Sequence, residues 1–171
     1  MFLKVVGMIL LFLVCVGAGM FAAQKLVRRA SQLEALIGAV GFISTEIRYS
    51  ATQMNVLLAR LDAMAEYGRL KIFGFCGAGL DGRRGLSSVW ESALEQSRPY
   101  LSLEEADYEA LRVFGRSLGA TDVEGQLANC ENCRALLTQR LGVAREDQRR
   151  RGKMYSSLGV LTGVFFLILL I

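Results

Sequence analysis

Along the middle of this chain apolar residues recur at three- and four-residue steps, and toward both ends they fuse into continuous runs. Residues 5–23 and 154–171 contain no charged side chain. A helix rising about 1.5 Å per residue needs roughly 20 apolar residues to cross a hydrocarbon core. The pattern therefore predicts a transmembrane helix over 1–23, a helical domain over 24–153 and a second transmembrane helix over 154–171.

Within the central segment, Leu33, Leu36, Ile37, Val40, Ile43 and Ile47 make one stripe on a long helix, interrupted at Tyr49, Ser50 and Ala51. Thr52 is placed to cap a second helix carrying Leu57, Leu58 and Leu61, which Tyr67 and Gly68 end. The short apolar stretch 70–76 then runs into a glycine-rich segment, Gly77 to Gly85, expected to be a loop. Three capping boxes follow: Ser88 with Glu91, Ser102 with Glu105, and Thr121 with Glu124, each opening a helix. Pro99 stops the first of these helices, and the last runs on toward the second apolar segment. Alternating strand patterns are scarce, so the fold class expected is all-α, a helical bundle between two membrane helices.

Charge sets the topology. Lys25, Arg28 and Arg29 follow the first apolar run, and Arg149, Arg150, Arg151 and Lys153 precede the second. The positive-inside rule places residues 24–153 in the cytoplasm of a two-pass membrane protein. No Ala-x-Ala site follows the first run, which argues against a cleaved signal peptide. The net charge of +4 is concentrated in the two flanking clusters. Lipid headgroups explain them better than nucleic acid, which would need a basic face with base-reading or stacking residues.

Candidate chemistry is sparse. Cys130 and Cys133 form a lone C-x-x-C in a sequence without histidine, short of the ligand set for zinc. The flanking pattern is helical and not the strand context of a thioredoxin-like pair, so these thiols read as small residues on a partly buried face. Gly77-Ala78-Gly79-Leu80-Asp81-Gly82 matches G-x-G-x-x-G, yet no βαβ unit surrounds it. Glu104, Glu105, Asp107 and Glu109 sit where a helix macrodipole favours negative charge. No cofactor and no enzymatic activity are expected. The alternative is a membrane-tethered thiol-redox or nucleotide-binding protein using Cys130 and Cys133 or the 77–82 segment. In the second apolar run, Gly159 and Gly163 make a G-x-x-x-G pair able to seat another helix closely.

Phe114, Gly115, Leu118 and Gly119, followed by Asp122 and Gln126, resemble the F-G-x-x-L-G-x-x-D-x-x-x-Q signature of the stage III sporulation protein AB family. Glu46, Tyr49 and Thr52 resemble that family's E-I-x-Y-x-x-T-P-L segment, with Gln53 in place of the usual proline. Trp90 with Leu94 resembles its tryptophan helix, and residues 153–163 its closing span. The resemblance implies a non-enzymatic platform or coupling subunit of the channel between mother cell and forespore, a specialised secretion-like complex required for endospore formation. It also implies a kinship with the F-type platform domain of type II secretion and type IV pilus systems, and a place in the mother-cell membrane around the forespore. The partners implied are a co-encoded cytosolic secretion-type ATPase, other stage III sporulation membrane subunits and further copies of the chain, with membrane lipids around the anchors and no nucleic acid. The residues also suggest a local role for the signature: Gly119 ends one helix in the left-handed conformation, Thr121 caps the next, and Phe114 and Leu118 pin the corner. Asp122 and Gln126 are either first-turn dipole partners or a polar contact for another subunit.

Overall fold

The computed structural model describes residues 2–50, 53–80 and 84–170. Among these the chain is entirely helical. In order, the elements are α1 (Phe2–Tyr49), α2 (Met54–Ala63), α3 (Ala65–Gly68), α4 (Ile72–Gly79), α5 (Leu86–Ser97), a 3-10 turn (Arg98–Tyr100), α6 (Glu105–Ser117) and α7 (Val123–Leu170). Two compact units emerge, one of residues 31–142 and one of residues 1–30 with 143–171.

The 31–142 unit holds most of the core. Leu33, Leu36, Val40 and Ile43 of α1 are buried at helical spacing, as are Cys130, Cys133, Leu137 and Leu141 of α7. Between them Leu57, Leu58 and Leu61 of α2, Phe73 and Cys76 of α4, Trp90 and Leu94 of α5, and Leu111 and Phe114 of α6 are all fully or nearly fully buried. Chain connections are tight. Met64 takes an extended conformation (φ −75°, ψ 123°) that separates α2 from the single turn α3, and Lys71 enters α4 in the left-handed region at φ 63°.

Several expected boundaries shift. The apolar stretch after residue 70 does not dissolve into a loop at Gly77, because α4 continues to Gly79. The three glycines of α4, Gly74, Gly77 and Gly79, cost about 1 kcal/mol each relative to alanine. Burying Ile72 and Phe73 offsets that at roughly 1.5–3 kcal/mol per side chain. Gly79 also lets α4 approach α5, since a Cβ there would lie 2.8 Å from Cγ1 of Val89.

The capping boxes move too. Gly85, not Ser88, precedes α5, and the Ser88 hydroxyl donates to the Gly85 carbonyl at 2.8 Å. The box at α6 is made by Glu104 and Asp107 in place of Ser102 and Glu105: the Glu104 amide donates to Asp107 Oδ2 at 2.9 Å, and the Glu104 side chain accepts from the Asp107 amide. At α7 the capping carboxylate is Asp122, whose Oδ1 accepts from the Gly125 amide at 3.0 Å, and Thr121 lies outside the helix. The expected Thr52 cap lies outside the described residues. Gln53 precedes α2 without a side-chain cap bond.

In the other unit, Arg29 is buried, with Nη1 lying 3.8 Å from Asp147 Oδ2, and Ala30 and Ala144 are buried as well. Asp147 also pairs with Arg151 at 3.2 Å, and Glu146 pairs with Arg150. Among the described residues no helix is long and apolar enough to cross a membrane. The spans expected over 1–23 and 154–171 therefore have no counterpart among them.

Candidate functional site: the signature corner between α5, α6 and α7

The residues of the F-G-x-x-L-G-x-x-D-x-x-x-Q segment meet at one corner. Trp90 on α5 is buried against α6, its indole Nε1 donating to the Leu111 carbonyl at 2.9 Å. Its ring meets Phe114 edge to face, with centroids 5.5 Å apart and planes at 72°, and Phe73 of α4 on another side at 6.3 Å. Such aromatic pairs add about 0.5–1.5 kcal/mol each beyond the area they bury. Gly115 is what admits the indole. A Cβ at that position would stand 2.0 Å from Trp90 Cδ1.

Past the end of α6, Leu118 is buried and extended, and Gly119 turns the chain at φ 77°. The last carbonyls of a helix have no partner within it, and side chains from the next element take them here. Gln126 Nε2 donates to the Ser117 carbonyl at 2.9 Å and to Thr121 Oγ1 at 3.0 Å, while Asn129 Nδ2 donates to the Phe114 carbonyl at 3.0 Å. The Ala120 amide also reaches the Ser117 carbonyl at 3.2 Å, and the Leu118 amide the Gly115 carbonyl at 3.3 Å. Asp122 starts α7, one turn before Gln126. Gln126 is buried and its amide nitrogen is spent on this corner, as a structural role requires.

The other sequence-derived residues lie apart from the corner. Glu46 pairs with Arg60 at 3.5 Å near the end of α1, where Tyr49 is 78% exposed. Gly159 and Gly163 fall within α7, and their surroundings lie outside the described residues. Asn129 was missed, although it follows Gln126 by three residues and so shares its helix face. Sequence reading also passed over an ionic cluster beside the corner. Arg98 contacts Glu95 at 2.6 Å and Glu105 at 3.1 Å, Arg112 contacts Glu95 at 2.9 Å and Glu105 at 2.6 Å, and the Arg98 guanidinium lies 4.3 Å above the Tyr108 ring. Hydrogen bonds from Arg98 and Arg112 hold the Glu95 carboxyl below its ordinary value, and the same two arginines, Arg112 first, do so for Glu105. Glu105, Glu109 and Asp107 thus serve ion pairs and a cap.

Cys76, Cys130 and Cys133 are reduced and buried. Burial pushes the Cys76 and Cys130 thiols up to about 11 and, with Cys130 nearby, Cys133 up to about 12. A nucleophilic or metal-binding cysteine needs the opposite shift. Gly77 and Gly79 belong to α4 and do not open a phosphate-binding turn there; Asp81 and Gly82 lie outside the described residues. Among the described residues no group of histidine, cysteine and carboxylate side chains is disposed to hold a metal ion.

Comparison with known proteins places this corner in a family context. The chain is 26% identical over 169 residues to stage III sporulation protein AB of Bacillus subtilis (strain 168), covering 98% of this chain and 99% of that protein. A solved structure of stage III sporulation protein AB (SpoIIIAB) superposes with a TM-score of 0.65 at 24% identity, covering 72% of this chain and 98% of the other, and so shares the fold. The family model for stage III sporulation protein AB matches residues 4–171. With nearly the whole length matched, and with Trp90, Gly115, Gly119 and Gln126 building one joint, the chain belongs to the stage III sporulation protein AB family.

Proposed function

We propose that the protein is a non-enzymatic, membrane-anchored platform or coupling subunit of the mother-cell to forespore channel, acting in endospore formation. Family membership supports the sporulation role. Support for the anchors comes from the uncharged runs 5–23 and 154–171 and their basic flanks, a pattern consistent with a helical domain on the cytoplasmic side; the membrane proposed is the mother-cell membrane around the forespore. The single observation that carries the coupling role is where the signature residues go. Trp90, Phe114, Gly115, Leu118 and Gln126 are spent on internal packing and the buried thiols lie at about 11 to 12, which supports a scaffold over a reactive centre. A scaffold of this kind acts by presenting surface to other proteins. The partners proposed are a co-encoded cytosolic secretion-type ATPase, other stage III sporulation membrane subunits and additional copies of the chain.

The test is capture of the tagged full chain from membranes of sporulating cells. Recovery of the ATPase with it, reduced by Tyr49→Ala at an unchanged melting temperature, supports the reading, because Tyr49 is the accessible aromatic residue of the family segment. Recovery of the chain solely from the soluble fraction, or from membranes without any co-encoded protein, overturns it.

A further inference from the structure

The unit formed by residues 1–30 and 143–171 carries a basic belt at a fixed level on two helices. The buried Arg29 and its partner Asp147 tie α1 to α7, and from this pair the unit leads along α1 toward its first residue and along α7 toward its last. Lys25 and Arg28 lie within four residues of the pair on α1, and Arg149, Arg150 and Arg151 within four on the side of α7 that leads to residue 154, with Arg145 on the other side of Asp147. At about 1.5 Å of rise per residue, all six stand within roughly 6 Å of the pair along the helix axes. Every one of them is exposed. Beyond them the exposed surface turns apolar at matching depth: Phe21, 68% exposed, is eight residues from Arg29, and Met154, 48% exposed, is seven residues from Asp147. Leu158 and Leu161 continue the apolar surface on α7, and Leu13 and Val14 on α1.

Acidic residues answer only part of this charge. Glu146 is taken by Arg150 and Asp147 by Arg151 and Arg29, and no other carboxylate occurs in residues 1–30 or 143–171. Lys25, Arg28 and Arg149 are left facing solvent at the boundary where apolar surface begins. A positive-inside bias explains why cations lie on this side of a span. It does not require that an ion pair with a buried arginine join two helices at one height.

We infer that this belt is a binding surface for anionic phospholipid headgroups, with Lys25, Arg28 and Arg149 as the cations that meet lipid phosphates. The inference rests on the membrane-anchored reading above and adds the class of lipid and the residues that select it. Charge complementarity favours lipid over an acidic protein here, because the cations adjoin exposed apolar surface that acyl chains would cover.

The test uses the full chain in nanodiscs containing equal parts phosphatidylglycerol and phosphatidylcholine, with the lipids retained through detergent exchange read by native mass spectrometry. The expected result is about fivefold enrichment of phosphatidylglycerol at low salt, shrinking as salt rises. The triple variant Lys25→Gln, Arg28→Gln and Arg149→Gln should bring the ratio close to one, while Arg116→Gln, an exposed cation at the end of α6, should leave it unchanged. Helicity by circular dichroism and equal nanodisc incorporation establish that the triple variant is folded. A wild-type ratio near one, or equal enrichment in the triple variant, overturns the lipid belt while leaving the anchor intact. Failure of the wild-type chain to enter nanodiscs of either lipid overturns the anchored reading itself.

Discussion

The indole of Trp90 occupies the space that a side chain on Gly115 would need, with Cδ1 2.0 Å from where that Cβ would stand. The same ring donates to the backbone of α6 at Leu111 and meets Phe114 edge to face. Spacing between α5 and α6 is therefore set by a glycine and a tryptophan acting together, and the stability of the joint should depend on both.

Gly115→Ala tests this. Alanine improves intrinsic helix propensity by about 1 kcal/mol, yet the overlap forces either the indole or the helix to move, at a cost of about 1–3 kcal/mol or more. The net effect expected is destabilisation, measured as a lowered urea midpoint. Trp90→Ala alone should cost about 3–5 kcal/mol, and the double variant should cost clearly less than the sum of the two. Additive losses would mean that the two positions do not share this space.

Gly119 supplies a second prediction of the same kind with a different cause. At φ 77° an L-residue is strained by about 1–2 kcal/mol, and Gly119→Ala should lose that amount. Asparagine tolerates the left-handed region better, so Gly119→Asn should lose less than Gly119→Ala. Reversal of this order in thermal melts would show that the 3.2 Å approach of Leu86 to a Cβ, and not backbone conformation, governs the position.

The ionic cluster should make stability fall in acid. Glu95 and Glu105 have lowered carboxyl values in the folded chain, so their contribution is complete above the unfolded value of about 4.3 and fades as pH drops through the folded value. Replacing Arg98 and Arg112 together by methionine should flatten the pH dependence of the denaturation midpoint in that range. An unchanged slope would show that the exposed pairs are screened by solvent and contribute nothing measurable.

The thiols should be inert. With Cys130 at about 11, a thiolate forms in about one molecule in a thousand at pH 8, and burial restricts access further. Reagents that titrate thiolates should label the native chain far more slowly than the unfolded chain. Cys130→Ser with Cys133→Ser should leave spore formation intact. Fast native labelling at Cys130 or Cys133 would revive a redox role.

Asp147→Asn probes the ion pair of the buried Arg29 in the other unit. Arg29 is 3% exposed, so removing this carboxylate neighbour weakens the compensation of a charge that little water reaches. Losing one partner of a fully buried pair costs about 3–5 kcal/mol, and the 22% exposure of Asp147 should bring the loss below that range. Arg29→Met with Asp147→Leu should recover much of it, as read by thermal melting of the full chain.

Periodicity alone was sufficient for the helical class and for the buried stripe of Leu33, Leu36, Val40 and Ile43, because a 3.6-residue repeat states which face must leave water; α1 itself runs through Tyr49, where the pattern places the break. The left-handed turn at Gly119 was legible too, since few other residues adopt that backbone. Tertiary structure decided which of several adjacent polar residues caps each helix: Asp122 instead of Thr121, and Glu104 with Asp107 instead of Ser102 with Glu105. Capping differences of about 1 kcal/mol are smaller than the packing terms that position a helix, so they follow the packing. The helical course of Gly77 and Gly79 came from the same source, through buried Phe73 and the approach to Val89. Neither the Trp90 and Gly115 contact nor the use of Gln126 and Asn129 on the carbonyls of α6 can be read along a chain. Both depend on residues distant in sequence meeting at a set spacing, and only the packed fold fixes that spacing.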